Sequence, residues 1–293
     1  MMFKGSIVPI ITPFRDDCSI DYEALEKLIE FHIEKGTNGL VPVGTTGESA
    51  TLSHKEHREV VKFTIDVVKK RIPVIAGAGS NSTYEAIELA KQAEDDGADG
   101  ILSITPYYNK PTQDGLIAHF TEIAKNTKLP IILYNVPGRT GVNMMPETVF
   151  KLSHIENIVG IKEASGNLVQ AAEIIKLCNG KMAVFCGEDA LAFPMMTIGA
   201  KGAISASANV CPADFASMIE EVEEDIQRAR SLYYKLLPLC KAMFLETNPA
   251  PVKEALFIMG LIPSPRLMLP LVRVKEETAK KIRDVLLSLG VIK

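Results

Sequence analysis

GILSITPYYNKPTQDGLIAHFTEIAKNTKLPIILYNVPGRTG, residues 100–141, holds one complete structural repeat and the opening of the next. A short apolar run, Gly100–Ile104, ends in a proline–tyrosine loop. A segment with helical periodicity follows at Asp114–Lys125. A second apolar run, Ile131–Tyr134, then ends in another polar loop. Continuous apolar runs of this length suit strands buried on both faces, as in parallel sheets, and the helix between them supplies the crossover.

The alternation extends in both directions. Further apolar runs stand at Ile7–Ile11, Gly39–Val43, Pro73–Ala76, Ile158–Lys162, Ala183–Cys186 and Ala203–Ser205, which makes eight. Amphipathic segments separate them at Tyr22–Glu34, Lys55–Lys70, Tyr84–Asp96, Pro146–Leu152, Leu168–Leu177 and Ala190–Ile198. Eight strand–helix units over about 220 residues match a (β/α)8 barrel in count and spacing. A doubly wound open sheet is the alternative. It normally carries a Gly-rich phosphate turn after its first strand, where this chain has TPFRDD at 12–17. The expected fold class is therefore α/β: a (β/α)8 TIM barrel over residues 1–213 with a C-terminal helical appendage over 214–293. The appendage reads as three or four helices, broken at Pro238, at Pro249–Pro251 and around Ile262–Pro265. No flexible linker precedes it, so it should pack on the barrel.

Bulk properties narrow the function. The chain has 293 residues, 47% hydrophobic and 23% charged, ordinary values for a globular protein. Its net charge is −4, and Lys and Arg are scattered among Asp and Glu, so no basic stripe suggests a nucleic-acid partner. No apolar run approaches the roughly 18–20 residues needed to span a bilayer, so no membrane partner is expected. The N-terminal MMFKGSIVPIITPF is punctuated by Pro9 and Pro13 and reads as a first strand, with a weak signal sequence as the alternative. Five cysteines, an odd number with no C-x-x-C, point to reduced thiols in a cytoplasmic protein.

Barrels of this kind carry their chemistry at the C-terminal ends of the strands. Four loops there converge a hydroxyl-rich turn, tyrosines, an arginine and a lysine: Gly44–Ser49, Thr105–Asn109, Tyr134–Thr140 and Lys162–Gly166. Lys162 closes an apolar strand with no evident acid paired to it. Desolvation raises the free-base fraction of an amine and suits it to attack a carbonyl. The alternative is a lysine snorkelling to solvent. Gly44-Thr45-Thr46-Gly47-Glu48 offers hydroxyl and N–H donors to a small anion, and without the lysine of a phosphate loop a carboxylate suits it better. It also suits a plain turn. Arg139 reads equally as a bidentate carboxylate anchor or a surface ion pair, and Tyr134 as a proton donor or a barrel-interior tyrosine. His54 and His57 are spaced H-x-x-H, not H-E-x-x-H, and no cysteine lies near them, so no metal site is expected. Ser53 and Glu56 form a capping box that puts both histidines on the first turns of a solvated helix.

Together, GTTGES at 44–49, TPYYNKPTQ at 105–113, YNVPGRTG at 134–141, GIKEASG at 160–166, CGED at 186–189, GAISASAN at 202–209 and ETNPAPVKEAL at 246–256 resemble the dihydrodipicolinate synthase family, among the pyruvate-dependent Schiff-base lyases. The resemblance covers nearly the whole chain. It implies an imine between Lys162 and pyruvate, Thr45 and Thr46 on the pyruvate carboxylate, Tyr134 as proton shuttle, and support from the Ile204 carbonyl. It implies that Thr45 links Tyr134 to Tyr108, a tyrosine donated by a neighbouring subunit of a homo-oligomer, commonly a dimer-of-dimers tetramer. Arg139 would bind the second substrate, L-aspartate 4-semialdehyde, and the product would be 4-hydroxy-tetrahydrodipicolinate, on the route to diaminopimelate and lysine. No cofactor is implied. A sugar-acid or N-acetylneuraminate aldolase and a non-catalytic keto-acid sensor are the alternatives; the sensor needs no nucleophile.

A second set, Ser49, Ala50, His54, His57, Asn81, Glu85 and Tyr107, matches the positions that line the L-lysine pocket in feedback-inhibited members of that family. Glu85 would pair the ligand's ammonium, Asn81 and Tyr107 its carboxylate, and the histidines its side chain. The plainer reading of the same residues is a capping box between Ser82 and Glu85, with the histidines on an exposed first turn.

Overall fold

The computed structural model of the chain describes residues 3–293. Met1 and Met2, at the head of the run read above as leading into the first strand, lie outside the described residues. Eight strands all run parallel: β1 (Gly5–Val8), β2 (Gly39–Leu40), β3 (Ile75–Gly77), β4 (Gly100–Ile104), β5 (Ile131–Asn135), β6 (Ile158–Glu163), β7 (Ala183–Cys186) and β8 (Gly202–Ile204). They are ordered β2-β1-β8-β7-β6-β5-β4-β3. A parallel bridge between Leu40 and Val74 brings the two ends together, with Leu40 N–H donating to the Pro73 carbonyl (2.9 Å) and Gly77 N–H to that of Pro42 (3.1 Å). The expected barrel is present.

Seven helices follow the first six strands in turn, two of them after β5: α1 (Tyr22–Glu34), α2 (His54–Val68), α3 (Thr83–Asp95), α4 (Gln113–Lys125), the short α5 (Pro137–Thr140), α6 (Pro146–Leu152) and α7 (Leu168–Cys178). After β7 come α8 (Ala192–Thr197) and, beyond β8, α9 (Pro212–Glu224), α10 (Ile226–Ala242), α11 (Ala250–Ile258) and α12 (Glu276–Ser288). Strand side chains divide between two cores, as the period-2 geometry requires. Ile7, Val41, Ile75, Leu102, Ile132 and Phe185 fill the barrel, and Phe3 joins them. Residues of opposite parity, such as Val8, Leu40, Ile101, Leu133 and Ile161, pack outward against the helices.

Two strands are shorter than the apolar runs suggest. In the run Ile7–Ile11 the regular ladder ends at Val8, where Pro9 has no N–H to give, although Ile10 N–H still donates to the Val41 carbonyl (3.2 Å). In the run Gly39–Val43 the regular ladder ends at Leu40, although Val41 N–H still donates to the Val8 carbonyl (2.8 Å); Pro42 lacks a donor and Val43 turns to a left-handed φ of 49°. Pro238 does not break a helix as expected but sits inside α10. The carbonyl that loses its partner there belongs to Tyr234, which lies on an exposed face. Helix α9 packs against β1 and α8 as well as α10.

His32, His57 and His119 are all buried. Burial pushes His32 down to about 3, and His57 and His119 to about 4, from the ordinary 6.5. The unfolded chain therefore takes up protons first as pH falls. The stability these neutral rings hold is fully present above pH 6.5 and is lost as pH drops through their folded values. The melting temperature should fall between pH 7 and pH 4, and His32→Leu should lower that slope by roughly one proton's worth. An unchanged slope in the variant contradicts the assignment.

Candidate active site

Three neighbouring strands align Tyr134, Lys162 and Phe185 in register, and Tyr134 and Phe185 belong to the inner core. Lys162 is 6% exposed, and its Nζ lies 4.4 Å from the centroid of the Tyr134 ring. Among the described residues no carboxylate comes within ion-pair distance of it. The acid that follows it in sequence, Glu163, faces the other side of the sheet. There its carboxylate accepts from Asn135 Nδ2 (2.9 Å), Gln170 Nε2 (3.3 Å) and Ser165 N–H (2.8 Å). Lys162 does not snorkel: it is held inside the barrel mouth with an aromatic face beside it.

The turn after β2 is built on strain. A β-branched residue at positive φ is a rare state, and Val43 adopts it at the point where the chain leaves the barrel wall. Gly77 on the neighbouring strand makes room, since a Cβ there would stand 2.3 Å from the Val43 carbonyl oxygen. Thr12 Oγ1 donates to the Gly47 carbonyl (2.7 Å), and Asn248 Nδ2 donates to Thr46 Oγ1 (3.0 Å). Glu48, at φ 57°, returns its N–H to the Thr45 carbonyl (3.1 Å).

The Glu48 carboxylate is wholly buried against Lys253 Nζ at 2.5 Å and accepts the Met268 N–H at 2.9 Å. Lys253 also donates to the Arg266 carbonyl (2.8 Å) and lies 4.1 Å over the Phe14 ring. Burial pulls the Lys253 ammonium down to about 8, against the opposing pull of Glu48. This pair joins residues about 200 positions apart and is not legible in the sequence. A lysine within the apolar stretch Ala250–Ile258 was its only trace.

These elements enclose a cleft of about 710 Å³ at the C-terminal ends of the strands. Thr45, Thr46, Tyr134, Arg139, Lys162 and Ile204 all line it. Arg139, on α5, donates to the Asn248 carbonyl (3.3 Å) and has no carboxylate partner among the described residues, so it is not a surface ion pair. Asn248 therefore touches both the threonine turn and the arginine, a second residue that sequence reasoning left without a role. Tyr108 is not brought into the cleft of its own chain. It is 90% exposed at φ 71°, and no hydrogen bond joins the Thr45 and Tyr134 hydroxyls.

A second cleft of about 510 Å³ shares Thr45, Tyr134 and Arg139 with the first. Ser49, Ala50, His54, His57, Glu85 and Tyr107 line it, while Asn81 does not; its carbonyl accepts from Asn109 Nδ2 at 2.8 Å. The capping box of Ser53 and Glu56 is present, but the two histidines differ. His54 is exposed and lies 3.2 Å from Glu85 Oε1, whereas His57, one turn on, is buried rather than solvated. The Ser82–Glu85 box is half formed. Ser82 accepts the Glu85 N–H, but the Glu85 carboxylate turns to Ser80 and His54. No cluster of three or more His, Cys, Asp or Glu suited to a metal ion occurs among the described residues.

Beneath the cleft, Asp189 accepts from Ser207 N–H (2.7 Å) and Oγ (2.5 Å), and burial raises its carboxyl above the ordinary range. Burial likewise raises the Cys186 thiol, which donates to the Glu188 carbonyl at 3.0 Å. This suppresses its thiolate.

The family model described as the dihydrodipicolinate synthetase family matches residues 2–289. A 4-hydroxy-tetrahydrodipicolinate synthase of Thermodesulfovibrio yellowstonii is 54% identical over the full length of both chains. The crystal structure of a chloride-inhibited dihydrodipicolinate synthase of Acinetobacter baumannii, in complex with pyruvate, superposes with a TM-score of 0.97 at 49% identity over 99% of each chain. That of a lysine-bound enzyme from the same family in Cyanidioschyzon merolae gives 0.95 at 38% identity, again over 99% of each. No described helix is long and apolar enough to cross a membrane. With its barrel, its buried strand-end lysine and relatives matched end to end, the chain belongs to the dihydrodipicolinate synthetase family of enzymes.

Proposed function

We propose that the chain condenses pyruvate with L-aspartate 4-semialdehyde, through an imine on Lys162, to give 4-hydroxy-tetrahydrodipicolinate. The observation that carries this reading is a buried lysine amine without a counter-charge, beside the Tyr134 ring and in a cleft shared with two threonines and an arginine. The amine adds to the C2 carbonyl of pyruvate and water leaves. The resulting imine acidifies the methyl group, which gives up a proton to form an enamine. The enamine carbon attacks the aldehyde carbon, whose oxygen takes a proton. The substrate's own amine then displaces Lys162 and closes the ring. Thr45 and Thr46 hold the pyruvate carboxylate, the Ile204 carbonyl supports it, Tyr134 moves the protons, and Arg139 holds the carboxylate of the aldehyde substrate.

The exposed, left-handed Tyr108 supports a role outside its own barrel. We read it as the relay tyrosine of a neighbouring subunit in a homodimer or a tetramer of two such dimers, in the cytoplasm. Purified protein should form product from the two substrates, with no turnover of 2-keto-3-deoxy sugar acids or N-acetylneuraminate. Lys162→Ala should abolish activity, and Tyr108→Phe should cost about 10²–10⁴-fold, the usual share of an acid–base group. Heterodimers of the two variants should regain activity, because one site is then intact. Preference for a sugar acid contradicts the substrate reading, and proven heterodimers without recovery contradict the shared site.

The second cleft supports regulation by L-lysine. Glu85 offers its carboxylate to the ligand's ammonium and Tyr107 a hydroxyl to its carboxylate, with His54 and His57 towards the side chain; Asn81 joins only by moving towards the cleft. The walls shared with the first cleft give a short path between two distinct sites. Titrating L-lysine should inhibit turnover, and Glu85→Ala should weaken the inhibition at least tenfold. No lysine binding at millimolar concentration by calorimetry contradicts it.

A further inference from the structure

The aldehyde substrate of the proposed reaction carries an ammonium and a carboxylate on one carbon, so a site that selects it needs an anion as well as Arg139. Two carboxylate residues line the cleft, Glu188 and Glu246. Glu246 is already committed. The Thr278 hydroxyl nearby and the Lys275 N–H, which donates to it at 3.0 Å, hold its carboxyl below the ordinary range. Asp189 and Glu163, nearby in the chain and in the barrel wall, are engaged by Ser207 and by Asn135, Gln170 and Ser165. The half-buried carboxylate of Glu188 has neither an ion-pair nor a hydrogen-bond partner among the described residues. Its burial and the neighbouring Asp189 raise it, a cost that a bound cation offsets.

Topology gives Glu188 its place. Arg139 follows β5, Lys162 is the penultimate residue of β6 and Glu188 follows β7, and these three strands are neighbours in the sheet. The cation and the unpartnered anion therefore flank the lysine on opposite sides. Gly187 brings the backbone close, since a Cβ at that position would stand 2.9 Å from Lys162 Cε. The Cys186 thiol fixes the turn by donating to the Glu188 carbonyl at 3.0 Å. An anion and a cation on either side of the nucleophile match the charges of an amino-acid head group.

Resting on the reading of the site given above, we propose that Glu188 receives the α-ammonium of the aldehyde substrate while Arg139 takes its carboxylate. Glu188 is then the residue that selects an amino aldehyde over its desamino counterpart. A carboxylate there also accepts the proton that the ammonium must lose before its nitrogen can close the ring.

The test compares two ligands that differ by that ammonium. For wild type, Glu188→Gln and Glu188→Asp, one measures the KM for L-aspartate 4-semialdehyde at saturating pyruvate and the inhibition constant of succinic semialdehyde as competitor. Glu188→Gln keeps the shape and removes the charge. It should raise the KM at least tenfold and shift the inhibition constant less than about twofold, a charge-specific loss, and Glu188→Asp should recover part of the difference. Equal shifts for both ligands, or none for either, overturn the role of Glu188 alone. A wild-type protein that turns over no amino aldehyde overturns the reading of the site, and this role with it.

Discussion

The Lys253 ammonium and the Glu48 carboxylate, both wholly buried and 2.5 Å apart, tie three parts of the chain to one point. Lys253 comes from α11, Glu48 from the turn after β2, and the same two side chains bind the backbone of Arg266 and Met268. Removing either partner leaves the other charge uncompensated in the interior, at a cost of about 3–5 kcal/mol. The pair holds Glu48 in its left-handed conformation, and the Glu48 N–H in turn holds the Thr45 carbonyl. Beside it, Asn248 bridges Thr46 to Arg139, so the same turn is held from both ends. The helices beyond the barrel are thus part of the cleft's construction.

Two lysines are buried within this fold, and their surroundings divide their chemistry. Lys253 has a carboxylate, a carbonyl and an aromatic face, and every feature of its site serves an ammonium that stays in place. Lys162 has an aromatic face and an open cleft, with no carboxylate in reach among the described residues. Its nearest acid in sequence is turned through the sheet into a neutral amide network. Strand alternation is the physical reason: adjacent residues face opposite sides, so Lys162 and Glu163 never meet.

The barrel was legible because each of its strands is a short apolar run with a polar loop after it, and four of the loops carry unusual residue types together. Strand ends were less so. Periodicity does not register that Pro9 and Pro42 remove donors, or that Val43 leaves the extended region. The residues gathered at the cleft, Lys162, Tyr134, Thr45, Thr46, Arg139 and Ile204, were all found from the ends of strands. Residues outside a strand-end loop were hidden. Lys253 and Asn248 approach from the C-terminal helices, over sequence separations of about 200 residues that no local pattern encodes. His57 was read as solvated because a capping box fixes where a helix starts but not which face its neighbours cover.

The central claim is that Lys162, and not the more deeply buried Lys253, is the amine that captures a keto acid. Trapping with pyruvate and borohydride, followed by peptide mapping of the wild-type protein, tests it directly. The mass of one reduced pyruvate should appear on the peptide that contains Lys162, and the peptide that contains Lys253 should stay unmodified. Label on Lys253, or on no lysine of the barrel mouth, would contradict the account.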